Sequence, residues 1–404
     1  MHAECYSCGA DSLRLFYEVE QIPVHSVLLM PTREAAVSYP RGDLRLGFCR
    51  ACGFIQNTAF DPRVHEYCPR YEDPQGFSAT FNRFARGLAE EWIGRYGLRN
   101  KRILEIGCGK GDFLVLLCEL GPNRGIGIDP SCVPGRIESD AASRIELIQD
   151  FYSERYAELQ ADFVCCRHTL EHIQPTGEFL RTVRRSLGDR NDTILGFELP
   201  DVSRVLKQRA FWDLYYEHCS YFSLASLARL FRASGFEVLS QKKAFGEQYL
   251  VLEARISGAS ADAKRAAASD GPVPGQSQLA EEELAELEAD VDAFESSIGG
   301  LLEEWQGRVR DWHARGLRTA IWGSGSKAVA FLTTLGLGAE VGCVVDINPH
   351  RHGMYMAGTG HPISPPEELK RFRPDLVIAM NLMYRQEIAS ALGDMRLSPE
   401  LIAI

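Results

Sequence analysis

A glycine-rich turn between an apolar strand and the start of a helix constrains the fold of this chain most. The segment reads Arg102-Ile-Leu-Glu-Ile-Gly-Cys-Gly-Lys-Gly-Asp-Phe-Leu114, with glycines at Gly107, Gly109 and Gly111. Glycine lets a backbone approach a bound nucleotide closely, because no side chain stands between them. The pattern therefore predicts the first strand–turn–helix unit of an α/β sheet with a nucleotide-like ligand at the turn.

Two further strands after this turn end in carboxylates. Gly125-Ile-Gly-Ile-Asp129 ends in an acid about 20 residues after the loop, a spacing that suits ribose hydroxyls. A third short strand, beginning at Ile145, leads to Asp150 and Phe151. Glu105 lies two residues before the first glycine. Together these residues predict a nucleoside-binding edge.

The combination of Glu105, the three glycines, Asp129 and Asp150 resembles class I S-adenosylmethionine methyltransferases. The resemblance implies that the glycine turn passes the methionine part of the cofactor and that Asp129 holds its ribose. Asp150, followed by Phe151, would meet the adenine. A dehydrogenase more typically has a Gly-x-Gly-x-x-Gly spacing, which this turn lacks.

Composition excludes several classes of protein. The 404 residues carry 44 basic and 55 acidic side chains, a net charge of −11, which argues against nucleic acid or an anionic membrane as the main partner. No apolar run approaches the roughly 18 residues of a membrane span. The first residues lack the basic and apolar regions of a signal peptide. We therefore expect a cytoplasmic protein of two or three domains whose twelve cysteines are reduced.

Four of those cysteines form two pairs, each followed by a glycine. Cys5-x-x-Cys8 and Cys49-x-x-Cys52 have the spacing of zinc knuckles, which hold one tetrahedral Zn²⁺ through four thiolates. Because sulfur would fill all four positions, the predicted zinc is structural rather than catalytic. Residues 1–70 are therefore predicted to form a β-rich zinc-binding module.

Three more segments follow this module. Alternating helix-like and strand-like stretches over 71–256 predict the methyltransferase domain with its doubly wound sheet. Residues 257–316 combine a linker, read from Ile256 to Gln278, with a long helix whose apolar residues recur every three to four positions. Residues 317–404 begin a second strand–turn–helix pattern and are predicted to form a Rossmann-like α/β domain.

Histidines and tyrosines follow the fourth and fifth strands of the predicted sheet. His168 and His172 come after the strand that starts at Asp162, and ligands bind at the carboxyl ends of such strands. His168 is assigned to the cofactor side. For His172, packing or capping is the alternative to catalysis. The later segment Tyr215-Tyr-Glu217-His218 places an acid–imidazole pair among aromatic rings, where burial is costly without hydrogen bonds.

That pair suits removal of a proton beside a carbonyl. An imidazole titrates near neutral pH and acts as a general base, and phenol or imidazole donors stabilise the resulting enolate. We therefore predict catalytic roles for the residues of this group: His172, Tyr215, Glu217 and His218.

The C-terminal segment is predicted to hold the acceptor. Thr319-Ala-Ile-Trp-Gly-Ser-Gly-Ser-Lys327 is a strand and a glycine-rich turn that offers backbone N–H groups and a lysine to an anion such as the acceptor's phosphates. Asp346, Asn381 and Tyr384 follow later strands. The alternative is a degenerate copy of the fold that only packs against the first domain.

Over nearly its whole length the chain resembles the zinc-containing sugar C-methyltransferases, which act on nucleotide-linked keto-deoxysugars. The resemblance rests on the cysteine quartet, on Glu217-His218 among aromatic residues and on the C-terminal pattern. It implies that a histidine removes the proton alpha to the sugar ketone and that the carbanion attacks the sulfonium methyl. It also implies sugar-binding roles for Tyr67 and Tyr71, although the spacing around these tyrosines differs from the family and the linker with its helix resembles an insertion.

Three functions are compatible with these patterns. The first is C-methylation of a nucleotide-linked sugar in deoxysugar and natural-product biosynthesis, by a monomer or homodimer. The second is O- or N-methylation of a sugar or other natural-product intermediate, without an enolate. The third is a non-catalytic binding protein with a relic cofactor site.

Overall fold

The computed structural model describes residues 4–64, 67–133, 135–257 and 276–404, and these residues build three β-sheets with helices around them. The predicted linker from Ile256 to Gln278 lies largely outside the described residues. No helix among the described residues is both long and apolar enough to cross a membrane.

The first sheet is antiparallel and has the strand order β1-β2-β3-β9. Its strands are β1 (Leu13–Pro23), β2 (Arg41–Cys49), β3 (Ile55–Asn57) and β9 (Ser220–Tyr221). A short helix, α1 (Arg33–Val37), connects β1 to β2. Three of the strands come from residues 1–70, but β9 comes from the middle of the chain. The N-terminal module therefore shares a sheet with the segment that follows Glu217-His218.

The second sheet has seven strands in the order β10-β11-β8-β7-β4-β5-β6. Five of them are parallel: β4 (Arg102–Ile106), β5 (Arg124–Ile128), β6 (Ile145–Ile148), β7 (Phe163–Arg167) and β8 (Ile194–Pro200). Two antiparallel strands, β10 (Phe236–Ala244) and β11 (Tyr249–Ile256), complete one side. The inner strands β4, β7 and β8 are almost continuously buried, as expected for parallel strands covered on both faces.

Five helices accompany this sheet, and polar caps fix where several of them begin. They are α2 (Ala79–Tyr96), α3 (Asp112–Leu120), α4 (Thr176–Leu187), α5 (Val202–Gln208) and α6 (Leu224–Ala233). Ser78, Asp201 and Ser223 each accept a hydrogen bond from a backbone N–H of the first turn that would otherwise lack a partner. This arrangement is the predicted class I methyltransferase fold.

The long helix α7 (Gln276–Ala314) agrees with the amphipathic helix predicted from the sequence. Its buried stripe contains Leu287, Val291, Phe294 and Ile298 at the predicted spacing. The ring of Phe294 packs edge-on against Tyr17 of β1, with the ring centroids 5.4 Å apart. One hydrophobic core therefore runs from the N-terminal sheet through α7 into the C-terminal domain.

The third sheet is wholly parallel and has the order β14-β13-β12-β15-β16. Its strands are β12 (Thr319–Trp322), β13 (Cys343–Val345), β14 (Ile363–Ser364), β15 (Leu376–Ala379) and β16 (Glu400–Ala403). Its helices are α8 (Ser326–Thr334), α9 (Leu369–Phe372) and α10 (Arg385–Asp394). The second α/β unit predicted for the C-terminus is therefore present.

Short 3₁₀ helices occupy many of the connections. They span Pro62–Val64, Ala142–Arg144, Glu154–Tyr156, Leu170–His172, Phe211–Asp213, Pro349–Arg351, Pro366–Glu368 and Leu382–Tyr384.

Candidate active site

The carboxyl ends of the second and third sheets line one large cavity. Its volume is about 1520 Å³, above the roughly 300–1,000 Å³ of ordinary ligand pockets, so it has room for two ligands side by side. Sixteen residues of the predicted cofactor, catalytic and acceptor sets line it: Tyr67, Tyr71, Glu105, Gly107, Gly109, Asp129, Asp150, Phe151, His168, His172, Tyr215, His218, Lys327, Asp346, Asn381 and Tyr384. Gly111 and Glu217 do not belong to that lining.

The glycine turn after β4 needs glycine for two different reasons. Gly107 has φ of +71°, and a Cβ there would lie 1.9 Å from Oγ1 of Thr169. Gly109 has φ of +54°, but an added Cβ would meet only Asp73, at 3.9 Å, and would project into the cavity. Asp129, at the end of β5, accepts a hydrogen bond from the Gly109 N–H at 2.9 Å and another from Ser131. The predicted ribose carboxylate thus also holds the turn in shape.

Acidic side chains crowd this end of the cavity. Burial raises the pKa of Glu105 to about 8, and one of its carboxylate oxygens has no hydrogen-bond partner among the described residues. Burial, together with the charge of Asp129, raises the pKa of Asp73 to about 6. A cationic ligand beside the turn would favour the ionised forms of both acids. Asp73 has no place in the glycine motif and was not predicted.

The predicted adenine contacts lie at the cavity rim. Asp150 accepts hydrogen bonds from the Phe151 N–H at 2.8 Å and from the Tyr156 hydroxyl, and it pairs with Arg155. Phe151 exposes 61% of its surface and meets the ring of Tyr67 edge-on at 6.4 Å. An exposed ring at a cavity mouth offers a flat apolar face to a planar ligand.

Two imidazoles and a phenol form a compact group in the middle of the cavity. The ring centroids of His172 and His218 lie 4.7 Å apart, and the ring of Tyr215 lies 4.1 Å from that of His218. Burial raises the pKa of Tyr215 well above its usual value, so its hydroxyl keeps its proton. The Nδ1 atom of His172 is 3.1 Å from the backbone oxygen of Glu217. This contact indicates that Nδ1 carries the proton and Nε2 the lone pair.

Glu217 lies behind this group and faces away from the cavity. Its carboxylate is 2.9 Å from Nδ1 of His25 and accepts hydrogen bonds from the Ser26 N–H at 3.0 Å and from the Ser26 hydroxyl. Although burial raises the pKa of Glu217, its contact with His25 lowers it to about 2. Glu217 therefore braces the segment that carries His218, and its predicted catalytic role stays a prediction.

His168 is a buried, ion-paired cation at the carboxyl end of β7. Its Nε2 lies 2.8 Å from Glu198, whose carboxylate also pairs with Arg167 at 2.9 and 3.1 Å. Burial alone would lower the pKa of His168, but its contacts with Glu171 and Glu198 raise it to about 9. His168 has φ of +48°, a strained conformation for a residue other than glycine. The ring of Tyr249 covers one side of it, at 4.6 Å.

Tyr67 and Tyr71 enclose the imidazoles from the N-terminal side. The ring of His172 meets Tyr67 at 5.6 Å and Tyr71 at 6.5 Å, both nearly perpendicular. Burial raises the pKa of both tyrosines well above the usual value, so they remain neutral donors. Both predicted sugar-binding tyrosines are thus next to the catalytic candidates.

The C-terminal domain forms the opposite wall. Lys327, in the first turn of α8, lies 2.8 Å from Asp213 and 3.2 Å from Gln248, both from the methyltransferase domain. Burial lowers the pKa of Lys327. Asn381 and Gln248 exchange hydrogen bonds of 2.8 and 3.0 Å. The predicted anion-binding lysine therefore already has a carboxylate partner, which the sequence did not reveal.

The other two acceptor candidates are also held by hydrogen bonds. Asp346, after β13, accepts from the N–H and hydroxyl of Ser324 at 2.7 and 2.6 Å. The hydroxyl of Tyr384 donates to Gln75 at 2.8 Å. Each residue is therefore fixed in orientation at the cavity wall.

The four cysteines lie together, away from the cavity. The sulfur of Cys5 is 3.7 Å from that of Cys52, and the sulfur of Cys8 is 3.7 Å from that of Cys49. All four sulfurs lie within 4.8 Å of one another. Sulfurs bound to one tetrahedral Zn²⁺ at about 2.3 Å lie roughly 3.8 Å apart, so these side chains fit a zinc ion.

Comparison with known proteins defines the class. Residues 79–241 match a methyltransferase domain, and residues 262–398 match a C-methyltransferase C-terminal domain. C-methyltransferase NovU of Streptomyces niveus is 29% identical over 402 residues, which cover 95% of this chain and 91% of that protein. The chain is therefore an S-adenosylmethionine-dependent methyltransferase. Its C-terminal part is similar to the C-terminal domain of C-methyltransferases.

Two solved structures with bound S-adenosylhomocysteine resemble part of the chain. A 1,6-didemethyltoxoflavin-N1-methyltransferase from Burkholderia thailandensis is 18% identical, with a TM-score of 0.33, and covers 45% of this chain and 82% of that one. A magnesium protoporphyrin IX methyltransferase from Synechocystis PCC 6803 is 16% identical, with a TM-score of 0.35, and covers 46% of this chain and 91% of that one.

Proposed function

We propose that this methyltransferase transfers a methyl group to a carbon atom of a nucleotide-linked keto-deoxysugar, next to the ketone. The observation that carries the proposal is the group of His172, His218 and Tyr215, which lines the same cavity as the glycine turn and the C-terminal wall. Such a group can remove a carbon-bound proton from an acceptor in the cavity.

The glycine-turn end of the cavity suits the cofactor. S-adenosylmethionine supplies an electrophilic methyl group on a positively charged sulfur. We infer that Glu105, Gly107, Gly109 and Asp129 hold its amino acid and ribose parts, because acids favour a cation and the Gly109 backbone is open to the cavity. Asp150 and Phe151 at the rim would meet the adenine, with Gly111 shaping the turn and His168 beneath the cofactor.

The chemistry on the acceptor falls to His218. We infer that its imidazole removes the proton alpha to the ketone, and that the neutral hydroxyl of Tyr215 donates a hydrogen bond to the enolate oxygen. His172 is the second candidate for the base, with its lone pair on Nε2. Glu217 would act indirectly, by fixing the backbone of this segment and the tautomer of His172.

The opposite wall is suited to a long polar acceptor. We infer that Lys327, Asp346, Asn381 and Tyr384 contact the nucleotide part, while Tyr67 and Tyr71 contact the sugar next to the imidazoles. The acceptor would be a small molecule of deoxysugar biosynthesis in the cytoplasm, and the enzyme a monomer or homodimer. The resemblance of the motifs and the size of the cavity support this acceptor class.

We propose further that Cys5, Cys8, Cys49 and Cys52 hold one structural Zn²⁺. The sulfur separations match a tetrahedral ion, and four sulfur ligands leave no open position for a substrate.

One experiment tests the reaction directly. The purified protein is incubated in D₂O with S-adenosylmethionine and a panel of nucleotide-linked 4-keto-6-deoxysugars, and the products are weighed by mass spectrometry. We expect one added methyl group, and deuterium in unmethylated acceptor, because enolate formation exchanges the alpha proton. Methylation without any deuterium uptake would instead support O- or N-methylation and contradict the proposal.

Replacing the proposed base sharpens the test. His218→Ala should reduce turnover by roughly 10² or more while cofactor affinity is unchanged, because general base catalysis is worth that much. His361→Ala is the control, since His361 bonds to backbone oxygens outside the cavity. Unchanged turnover of His218→Ala would contradict its role as base and favour His172, the second candidate.

A further inference from the structure

Glu171 is a buried acid in the cavity for which the proposed reaction has so far given no role. Only 2% of its surface is exposed, and its Oε2 atom has no hydrogen-bond partner among the described residues. A carboxylate oxygen of Glu171, a ring nitrogen of His172 and a ring nitrogen of His218 all lie within 4.8 Å of one another. The carboxylate of Glu171 is therefore next to both imidazoles, whereas that of Glu217 contacts His25 and Ser26.

A line of alternating charges fixes Glu171 in this position. Its Oε1 atom lies 3.6 Å from Nδ1 of His168, and the other nitrogen of His168 lies 2.8 Å from Glu198. Glu198 in turn pairs with Arg167 through two hydrogen bonds. These ion pairs hold the imidazole of His168 in place, and its contact with Oε1 limits the freedom of the Glu171 carboxylate to turn away.

A buried carboxylate oxygen without a hydrogen-bond partner destabilises the protein, and the penalty is larger when the group is charged. The cost is offset when a positive hydrogen-bond donor forms beside it. An imidazole that has just taken up a proton is such a donor. A ring nitrogen of His218 lies within 4.8 Å of a carboxylate oxygen of Glu171 and can provide it.

We propose that Glu171 is a positioning residue for His218, orienting the imidazole and stabilising the imidazolium formed during proton abstraction. The inference rests on the proposed function. In that step the C–H bond alpha to the ketone breaks, its electron pair remains on the acceptor as an enolate, and the proton forms an N–H bond on His218. The second ring N–H of His218 then donates to Oε2 of Glu171. The proton later leaves to water.

The other groups around His218 are the same in the wild type and in the Glu171 variants, so they do not account for a difference between these proteins. Tyr215 and Tyr221 contact its ring, and His172 lies across from it. The surrounding elements contribute further titratable groups: Tyr67, Tyr71, His25, His168, Glu198, Glu217 and Asp213. Among these acids Glu217 turns its carboxylate to His25, and Asp213 turns its own to Lys327.

The kinetic test is Glu171→Gln, which keeps the shape and removes the charge. We expect deuterium exchange into the acceptor to fall by roughly 10² or more. We also expect the pH at which exchange reaches half its maximum to shift to a lower value. Loss of a nearby negative charge lowers the pKa of His218, so its imidazole is unprotonated, and able to act as a base, at lower pH. Glu171→Asp should recover part of the rate. An unchanged pH profile in Glu171→Gln would overturn the proposal even if the rate fell.

A second measurement does not depend on the acceptor. The ring of His218, assigned in NMR spectra through the peak lost in His218→Asn, is titrated in the wild type and in Glu171→Gln. We expect its pKa to fall by about one unit or more, the effect of removing an opposite charge a few ångströms away. Glu253→Gln is the control, because Glu253 is equally buried but pairs with Trp92 and Arg95 outside the cavity.

The two measurements separate the two proposals. If no keto sugar shows exchange with the wild type but the pKa of His218 falls in Glu171→Gln, the acceptor is wrong and the role of Glu171 stands. If the wild type exchanges and His218 titrates identically in Glu171→Gln, the role of Glu171 is wrong and the proposed function stands.

Discussion

Gly109 and Gly97 have nearly the same backbone conformation, with φ of +54° and +61°, yet they have different structural roles. Gly97 ends helix α2, and an added Cβ would point into open space. At Gly109 an added Cβ would instead project into the cavity, beside Asp129. Because the conformations match, the two glycines separate the effect of backbone strain from that of lost ligand space.

We therefore expect Gly109→Val to lose measurable S-adenosylmethionine binding in calorimetry, because the side chain would occupy the space that the ligand needs. Gly97→Val should carry similar strain, lower the melting temperature and keep the affinity. Equal affinities in the wild type and Gly109→Val would contradict the proposed cofactor position.

The residues that sequence reasoning missed share one property. Asp213, Gln248, His25 and Asp73 line the cavity or brace it, but none belongs to a motif. Their partners lie far away in sequence: Lys327 is 114 residues from Asp213, and Glu217 is 192 residues from His25. Glycine turns and cysteine knuckles are local, so they could be recognised, whereas these pairings depend on how domains meet.

At the scale of elements, β9 connects the N-terminal cysteine-containing module to the segment that carries His218. It begins two residues after His218 and pairs with β3 through Ile55 and Tyr221. The Asn57 N–H donates to the oxygen of Cys219 at 2.9 Å. Cys49 and Cys52 lie at the turn that leads into β3. The turn that carries these two cysteines therefore supports, through one strand, the backbone that carries His218.

This connection predicts that zinc loss affects catalysis from a distance. Cys8→Ser should lower the zinc content below one ion per chain, lower the melting temperature and reduce methyl transfer, because ligand loss loosens the turn before β3. Cys68→Ser, outside the quartet, should keep zinc and activity. Metal analysis by mass spectrometry and thermal unfolding measure both.

Full stability and turnover of zinc-free protein would contradict this connection.

The sequence predicted the quartet and the strands of each sheet from local patterns. It could not predict β9, because a two-residue strand has no periodicity of its own and forms only when β3 is beside it.

At the scale of the whole molecule, the parallel strands of the second and third sheets bring their carboxyl ends to a common cavity. The sequence predicted each unit separately, since every strand–turn–helix pattern is local. It gave no sign that Lys327 of the C-terminal domain would contact Asp213 of the methyltransferase domain. Two interpretations of the C-terminal domain, that it binds the acceptor or that it only packs against the first domain, are therefore to be separated by experiment.

Lys327→Met separates them. If Lys327 binds the acceptor, we expect KM for the nucleotide-linked sugar to rise about tenfold or more, the effect of losing one charge-assisted hydrogen bond of about 1.5–3 kcal/mol, with cofactor affinity unchanged. If Lys327 only joins the domains, the melting temperature should fall as it does in Asp213→Asn, with KM unchanged. Lys207→Met is the matched control, because Lys207 pairs with Glu286 on the exposed side of α7 and does not line the cavity. Steady-state kinetics beside thermal unfolding of the three variants therefore decide whether the C-terminal domain recognises the acceptor or only covers it.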